Sequence, residues 1–117
     1  MKSSIGRITP SVVNTYAAIA STAKSTSAPA VGDMVDVDGF DWLTLGWGAG
    51  TGTVTEYALA TWITLDGTNV IELTDERRTW TAGTNAADIS IRGATKALCT
   101  LYSVTGTGNC PFGANAS

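Results

Sequence analysis

The chain has 117 residues, of which 44% are hydrophobic and 15% are charged, and its formal net charge is −3. This length is typical of one domain with a single core. The seven Lys and Arg residues are scattered along the chain, which argues against a nucleic-acid partner, because such binding needs clustered cations. No apolar run approaches the roughly 18 residues of a membrane helix, and residues 1–30 lack the apolar stretch of a signal peptide. The sequence therefore predicts no nucleic-acid partner and no membrane partner. It also predicts that the protein is synthesised in a cytoplasm.

Residues 1–30 differ from the rest of the chain, because they are mostly small and polar and end in the near-repetitive "STAKSTSAPA". This composition predicts an N-terminal arm or linker over 1–30, followed by one domain over 31–117. Two interpretations fit the stretch that begins at Ser11. Its apolar residues recur at helical spacing behind a possible Ser11 cap, whereas its β-branched and hydroxyl side chains favour an extended arm. In either form we expect a partner subunit to order it.

From Val31 onward the hydrophobic pattern has a period of two, which is typical of strands. In "DWLTLGW" (41–47), Leu43, Leu45 and Trp47 share one face of the predicted strand. The other predicted strands are "TVTEYA" (53–58), "ATWITL" (60–65), "VIEL" (70–73), "DISIRG" (88–93) and "KALCTLYSV" (96–104). A hairpin is predicted at residues 66–69, and further turns at Asp38-Gly39, Ala82-Gly83 and Arg92-Gly93. The pattern predicts an all-β fold, an antiparallel β-sandwich of jelly-roll or Ig-like type with an extended N-terminal arm.

A glycine at every second position, from Gly46 to Gly52, raises the question of a phosphate-binding loop. The dinucleotide fingerprint needs a different third spacing and a following helix, but here a β pattern follows. A P-loop needs a Lys after its last glycine, and none lies between Lys24 and Lys96. We interpret the ladder as a bend between strands, or a place where backbones or rings pack closely.

Catalytic and metal-binding patterns are weak. The chain contains no histidine, which removes the imidazole-based nucleophilic triads. Asp36 and Asp38 match the first two positions of an EF-hand calcium loop, but Gly39 comes too early and Leu45 occupies the place of its Glu. Aspartates at strand ends are more typical of turn caps. The sequence therefore predicts a protein that is not an enzyme, with no catalytic residues, no metal and no cofactor.

Two cysteines, Cys99 and Cys110, lie eleven residues apart. A disulfide between them would stabilise the fold by about 3 kcal/mol in the chain-entropy model. Cytoplasmic synthesis favours two unpaired thiols, whereas residence in an extracellular particle would favour the bond. The pair remains a possible disulfide, and with no second Cys pair or histidine a zinc site is not expected.

The four tryptophans admit two interpretations. Aromatic rings on a sandwich face can stack on sugars, but large rings more often fill the core or an interface with a neighbouring subunit. The second interpretation is preferred. The predicted interface residues are Tyr16, Ile19, Trp47, Arg77, Arg78 and Trp80.

Four stretches carry a family resemblance: "VDVDGFDWLTL" (35–45), "GTVT" (52–55), "DGT" (66–68) and "IRGA" (91–94). Over residues 31–106 the chain resembles the small β-sandwich domains of tailed-bacteriophage virion proteins. The resemblance implies a non-enzymatic virion component, made in the host cytoplasm. It further implies a capsid decoration (cement) protein that stabilises the head through contacts of its arm with the major capsid protein or other virion subunits. A homo-oligomer, in particular a trimer, fits this role. A tail or head fibre, or a carbohydrate- or receptor-binding module, remains the alternative.

Overall fold

Nine antiparallel strands build the fold in the computed structural model, which describes residues 10–81 and 85–117. The strands are β1 (Ser11–Ala20), β2 (Val35–Asp36), β3 (Trp42–Trp47), β4 (Glu56–Thr64), β5 (Val70–Glu72), β6 (Arg78–Trp80), β7 (Asn85–Ser90), β8 (Lys96–Thr105) and β9 (Asn109–Ala116). Three single 3-10 turns, at Ser21–Ala23, Val31–Asp33 and Thr74–Glu76, lie in the connections. Within the described residues no helix has the length and hydropathy to span a membrane.

The strands form two sheets that pack face to face. One sheet has the order β1-β9-β3-β7, and the other has the order β2-β8-β4, with β5 and β6 both paired to the far side of β4. The strand pairs are nested along the chain, because β1 pairs with β9, β2 with β8, β3 with β7 and β4 with β6. A long hairpin that rolls up in this way is a jelly roll. The predicted antiparallel β-sandwich is confirmed, and the strand order selects the jelly-roll form.

The alternating pattern of β3 has the predicted consequence. Leu43, Leu45 and Trp47 are buried, whereas Trp42 and Thr44 face outward. The two runs predicted at 53–58 and 60–65 form one strand instead, β4, in which Tyr57 and Leu59 point into the core. The period of two therefore predicted faces correctly wherever the strand itself was regular.

The predicted hairpin at 66–69 is also confirmed, since Thr64 pairs with Val70 across it. The Asp66 carboxylate accepts hydrogen bonds from the backbone N–H groups of Asn69 and Thr68, at 2.8 and 2.9 Å. These donors hold the pKa of the Asp66 carboxyl well below its usual range. The aspartate is thus a turn cap, as its position at a strand end indicated.

A β-bulge in β8 breaks the simple alternation of that strand. Leu59 lies opposite Leu101 and Ala58 lies opposite Ser103, so Tyr102 has no partner residue in β4. Core-facing positions therefore shift from the odd-numbered Leu101 to the even-numbered Val104. Tyr102 is left on the outer side, where it packs against the cluster of Met34, Ala60 and Trp62.

The structure corrects the prediction of an arm or short helix in the N-terminal segment. Ser11–Ala20 is a strand, β1, that pairs along most of its length with β9, so the domain begins before residue 31 and the helical alternative is wrong. The Asn14 side chain explains part of this order. Its amide donates to the Cys99 carbonyl at 2.9 Å and its oxygen accepts from the Cys99 N–H at 3.0 Å. Residues 1–9, and the turn predicted at Ala82-Gly83, lie outside the described residues.

Tyr57 joins the two sheets through the core. Its ring is 1% exposed and packs at 5.4 Å from the ring of Trp80. Its hydroxyl lies 2.6 Å from the Gly48 carbonyl and 2.9 Å from the Pro111 carbonyl, so it reaches the end of β3 and the β9 strand from β4. Burial raises the pKa of the Tyr57 phenol well above its usual range, which keeps the hydroxyl proton available to these carbonyls.

Replacing Tyr57 by Phe should lower the free energy of unfolding by roughly 1–3 kcal/mol, because two buried carbonyls lose their shared donor. Urea denaturation followed by tryptophan fluorescence measures the change. Tyr16→Phe is the matched control, since Tyr16 is 58% exposed and should change stability by less than about 0.5 kcal/mol. Equal effects for the two variants would show that the buried hydroxyl does not hold the sheets together.

Candidate binding face

The outward side of the four-stranded sheet carries little charge, and we call it the outer face. Asp88 is the one charged residue in the four strands β1, β9, β3 and β7. Exposed sides of antiparallel sheets are normally polar or charged. The outer face instead carries three of the large apolar side chains that the described residues expose, namely Val12, Tyr16 and Trp42, which are 56%, 58% and 47% exposed.

A shallow groove of about 430 Å³ runs across the outer face. Gly46 of β3 and Gly113 of β9 lie directly opposite each other, and Ala86 of β7 lies beside Gly46. Because these positions carry no side chain or only a methyl group, no large side chain fills the groove there. Tyr16, Thr44 and Asn115 are among the residues that border the groove.

The wall of the groove depends on an irregularity in β1. Asn14 lies opposite Ala114 and Ala17 opposite Phe112, so two residues of β1, Thr15 and Tyr16, face the single Gly113 of β9. A Cβ atom on Gly113 would lie 2.7 Å from the Tyr16 Cα, whereas a Cβ atom on Gly46 would meet nothing within 4 Å. The bulge can thus form only over a glycine, and it is the bulged strand that carries Tyr16.

Polar groups of the outer face are few and partly engaged with one another. The Thr44 hydroxyl donates to the Asp88 carboxylate at 2.7 Å across the β3–β7 pair. Asn115 and Ser90 are exposed on the neighbouring strands. The surface is therefore apolar at its two aromatic residues and weakly polar between them.

The opposite side of the molecule is built differently, because the outer side of the second sheet is covered by the chain itself. Ala60 and Trp62 are 0% and 6% exposed there, and they pack with Met34, which precedes β2. The Trp62 indole N–H donates to the Thr100 hydroxyl at 2.8 Å. The described residues include no such cover over Tyr16 and Trp42.

The structure brings few of the predicted interface residues to one surface. Tyr16 lies on the outer face, and Ile19 is partly buried against the core. Trp47 and Trp80 are 4% and 7% exposed, which corrects their assignment to an interface. The inward register of β3 buries Trp47, and contact with Tyr57 buries Trp80.

Arg77 and Arg78 lie on the other sheet, far from the outer face in the strand order. The Arg77 guanidinium makes a two-pronged pair with Glu72, at 2.6 and 2.8 Å, and stacks 3.9 Å from the centre of the Tyr102 ring. Arg78 lies 3.5 Å from Glu76. These exposed pairs organise the β5–β6 edge and add little to stability.

The two cysteines are free, buried thiols, on β8 and β9. Burial raises the pKa of the Cys99 thiol to about 12 and also raises the pKa of Cys110. Thiols of this kind are unreactive core residues. The structure therefore contains the unpaired state that cytoplasmic synthesis favours.

The glycine ladder ends β3 and leads into a loop, which confirms the predicted bend with close backbone packing. The Gly48 N–H donates to the Pro111 carbonyl at 3.1 Å. Gly52 has a φ of +63°, and a Cβ atom there would lie 2.5 Å from the Thr107 carbonyl oxygen. Glycine is thus needed for packing against the β8–β9 turn.

The aspartates around Gly39 hold turns. The Asp36 carboxylate accepts from the Asp38 N–H at 2.9 Å, and Asp41 lies 3.6 Å from Arg92. In residues 10–81 and 85–117, no three His, Cys, Asp or Glu side chains are grouped so that they could hold a metal ion.

Most of the outer face was missed at the level of sequence, although a signal exists. Residues 11–23 and 97–117 contain no charged side chain, and these two stretches supply the paired strands β1 and β9.

The chain matches no protein-family model, no curated protein and no solved structure.

Replacing Gly113 by Ala should destabilise the protein by roughly 1–3 kcal/mol, because the new methyl group collides with the backbone of the β1 bulge. Gly46→Ala, on the directly opposite residue, has open space and should be neutral or stabilising by up to about 1 kcal/mol. Thermal or urea unfolding of both variants measures the difference. Similar behaviour of the two would contradict the close packing of Tyr16 on Gly113.

The free energy of unfolding should fall as pH rises from about 9 towards 12. Cys99 has a raised pKa in the folded protein, so the unfolded chain loses the thiol proton first, and stability that is complete below the unfolded pKa is lost above it. Cys99→Ala should make this decline shallower by at most roughly 1.4 kcal/mol per pH unit. Urea unfolding across this pH range tests it, and equal slopes for the two proteins would contradict the burial of an ionisable thiol.

Proposed function

We propose that this protein is a non-enzymatic structural component of a bacteriophage particle, a capsid decoration protein that binds capsid subunits through its outer face and stabilises the shell. The observation that carries the proposal is the outer face itself, with one charged residue in four strands and with Tyr16 and Trp42 exposed. Such a surface binds a partner at low cost, since few charges must be stripped of water.

The composition of the outer face matches that of protein interfaces. Their buried centres are poor in charged residues and rich in aromatic ones, and exposed contiguous apolar patches mark interaction sites. The groove at Gly46 and Gly113 can accept a protruding side chain from the partner. The rings of Tyr16 and Trp42 supply large apolar contacts. The partner proposed is the major capsid protein or another virion subunit.

The jelly-roll architecture and the symmetry of a capsid shell support the same role. Jelly rolls occur in viral capsid domains, although the fold alone does not determine function. On a symmetric shell a modest single interface is sufficient when many copies bind, or when several are joined, because linked contacts reinforce each other. We place the protein in the virion after synthesis in the host cytoplasm, with a tail or head fibre as the alternative location.

A carbohydrate-binding role is the second candidate, favoured by one observation. Tyr16 and Trp42 expose aromatic rings on a face that also offers Thr44, Asp88 and Asn115 as hydrogen-bonding groups. Aromatic faces stack on the apolar faces of sugars, and jelly rolls also occur in lectins. A glycan array probed with the full chain distinguishes the two roles: specific glycan binding that Trp42→Ala abolishes would favour this candidate over shell binding.

The double variant Tyr16→Ala/Trp42→Ala should lose shell binding, with a dissociation constant raised by roughly thirtyfold or more, because both aromatic contacts are removed. Stability should change little, since both side chains are about half exposed. Binding is measured by co-sedimentation with purified capsids that lack the protein. Leu65→Ala/Ile71→Ala is the matched control, because these residues of the β4–β5 hairpin are 52% and 46% exposed and belong to the other half of the sandwich. Loss of binding by the control alone would overturn the assignment of the face.

The same assay separates the outer face from the predicted arm. Deleting residues 1–30 would remove β1 and leave β9 paired on one side only, so that deletion cannot isolate an arm. Deletion of residues 2–9 leaves every described strand intact. Loss of binding on this deletion, with Tyr16→Ala/Trp42→Ala still bound, would assign attachment to the N-terminal residues.

A further inference from the structure

β7 is the open edge of the four-stranded sheet, and the direction of its backbone groups can be worked out from the hydrogen bonds. The Ile91 N–H donates to the Asp41 carbonyl, and β3 and β7 then pair residue by residue from Trp42↔Ser90 onward. Hydrogen-bonded and non-hydrogen-bonded pairs alternate in antiparallel sheets. Ile89 and Ala87 therefore direct their N–H and C=O groups to β3, whereas Ala86, Asp88 and Ser90 direct theirs away from the sheet.

The reverse side of β3 supports this assignment. Trp42 exchanges both of its backbone hydrogen bonds with Ser117, at 3.0 and 2.9 Å, so the even-numbered residues of β3 serve β9 and the odd-numbered ones serve β7. Among the described residues, no strand pairs with the outer edge of β7. Ala86, Asp88 and Ser90 are exposed.

Within residues 10–81 and 85–117, the other sheet edges are protected and the edge of β7 is not. β1 is irregular, with two register shifts, and its Asn14 side chain bonds to the backbone of β8. β2 has two residues, and β5 and β6 have three each and carry the charged Glu72 and Arg78. Proteins blunt their edges by such devices. β7 has six residues with small side chains and contains no Lys, Arg or Pro.

We propose that β7 pairs antiparallel with β7 of a second copy of this chain, so that two four-stranded sheets join into one continuous sheet across a two-fold axis. The exposed groups are backbone donors and acceptors, and their complement is another strand edge. A second copy supplies a strand of equal length with the same open edge, and a self-complementary patch closes as a dimer.

The single charge of the strand excludes one register, and a hydrogen bond to Ser90 favours another. If Asp88 lay opposite Asp88 of the partner, two like charges would face each other, which destabilises a strand pair. Pairing centred on Ile89 instead places Asp88 opposite the partner's Ser90, twice by symmetry. One Asp88 oxygen accepts from Thr44, and the other is then placed to accept from the Ser90 hydroxyl across the interface.

This inference goes beyond the proposed function and does not depend on it, because it uses the edge of the sheet and leaves its outer face free. It also gives a two-fold pair in place of the trimer that the virion resemblance implies. Capsid co-sedimentation tests the outer face, whereas the state in solution tests the edge, so either proposal can fail alone.

Sedimentation equilibrium of the full chain should show a monomer–dimer equilibrium. Ser90→Pro should raise the dimer dissociation constant by at least about tenfold, because it removes an outward N–H from each copy and places a ring at the edge. The β3–β7 pairing is spared, since the Ser90 N–H does not point to β3. Ser90→Ala is the matched control, which keeps the N–H and should weaken the dimer only severalfold.

Hydrogen exchange of the unaltered chain gives a readout that does not require the proline variant to fold. The amides of Asp88 and Ser90 should become protected as protein concentration rises, whereas those of Ala87 and Ile89 should be protected at all concentrations. A chain that stays monomeric, a dimer unaffected by folded Ser90→Pro, or outward amides whose exchange is independent of concentration would each overturn the proposal.

Discussion

The pairing of the first strand with the last is the constraint on which the rest of the structure depends. β1 and β9 close the four-stranded sheet, and without β1 the backbone of β9 would lose a full row of hydrogen bonds. Gly113 permits the pairing, because only a residue without a side chain fits under the bulge at Thr15 and Tyr16. One glycine thereby determines both that the roll closes and that an aromatic side chain projects from the closed sheet.

Polar side-chain contacts between the two sheets stabilise this closure. Tyr57 spans from β4 to carbonyls of the opposite sheet, and Asn14 ties β1 to the edge of β8 with two hydrogen bonds to Cys99. Both side chains hydrogen-bond to backbone groups of the opposite sheet. The sandwich is therefore held at its edges and across its core by specific polar contacts in addition to apolar packing.

Much of the fold was predictable from residue order, and the failures have physical causes. The alternation in "DWLTLGW" and the Asp66 turn depend on neighbours in sequence, so local patterns revealed them. β1 and β9 were missed because small residues such as Ala17, Ala18 and Gly113 carry little hydrophobic signal, and their partner lies about a hundred residues away. The outer face needs both strands, so it could not be assembled. The bulge at Tyr102 was hidden for the same reason, since only pairing with β4 displays it.

The two sheets divide the tasks of the molecule. Five charged strand residues, Asp36, Glu56, Glu72, Arg78 and Lys96, lie in the second sheet, and Met34 packs with Trp62 on its outer side. The described strands of the first sheet carry one charged residue, the groove lies open on that sheet, and no described strand pairs with the outer edge of β7. The exposed side of the first sheet is thus weakly charged, and most charged residues of the described chain lie in the connections between strands. A surface with so few charges can be covered by another protein without displacing tightly bound water.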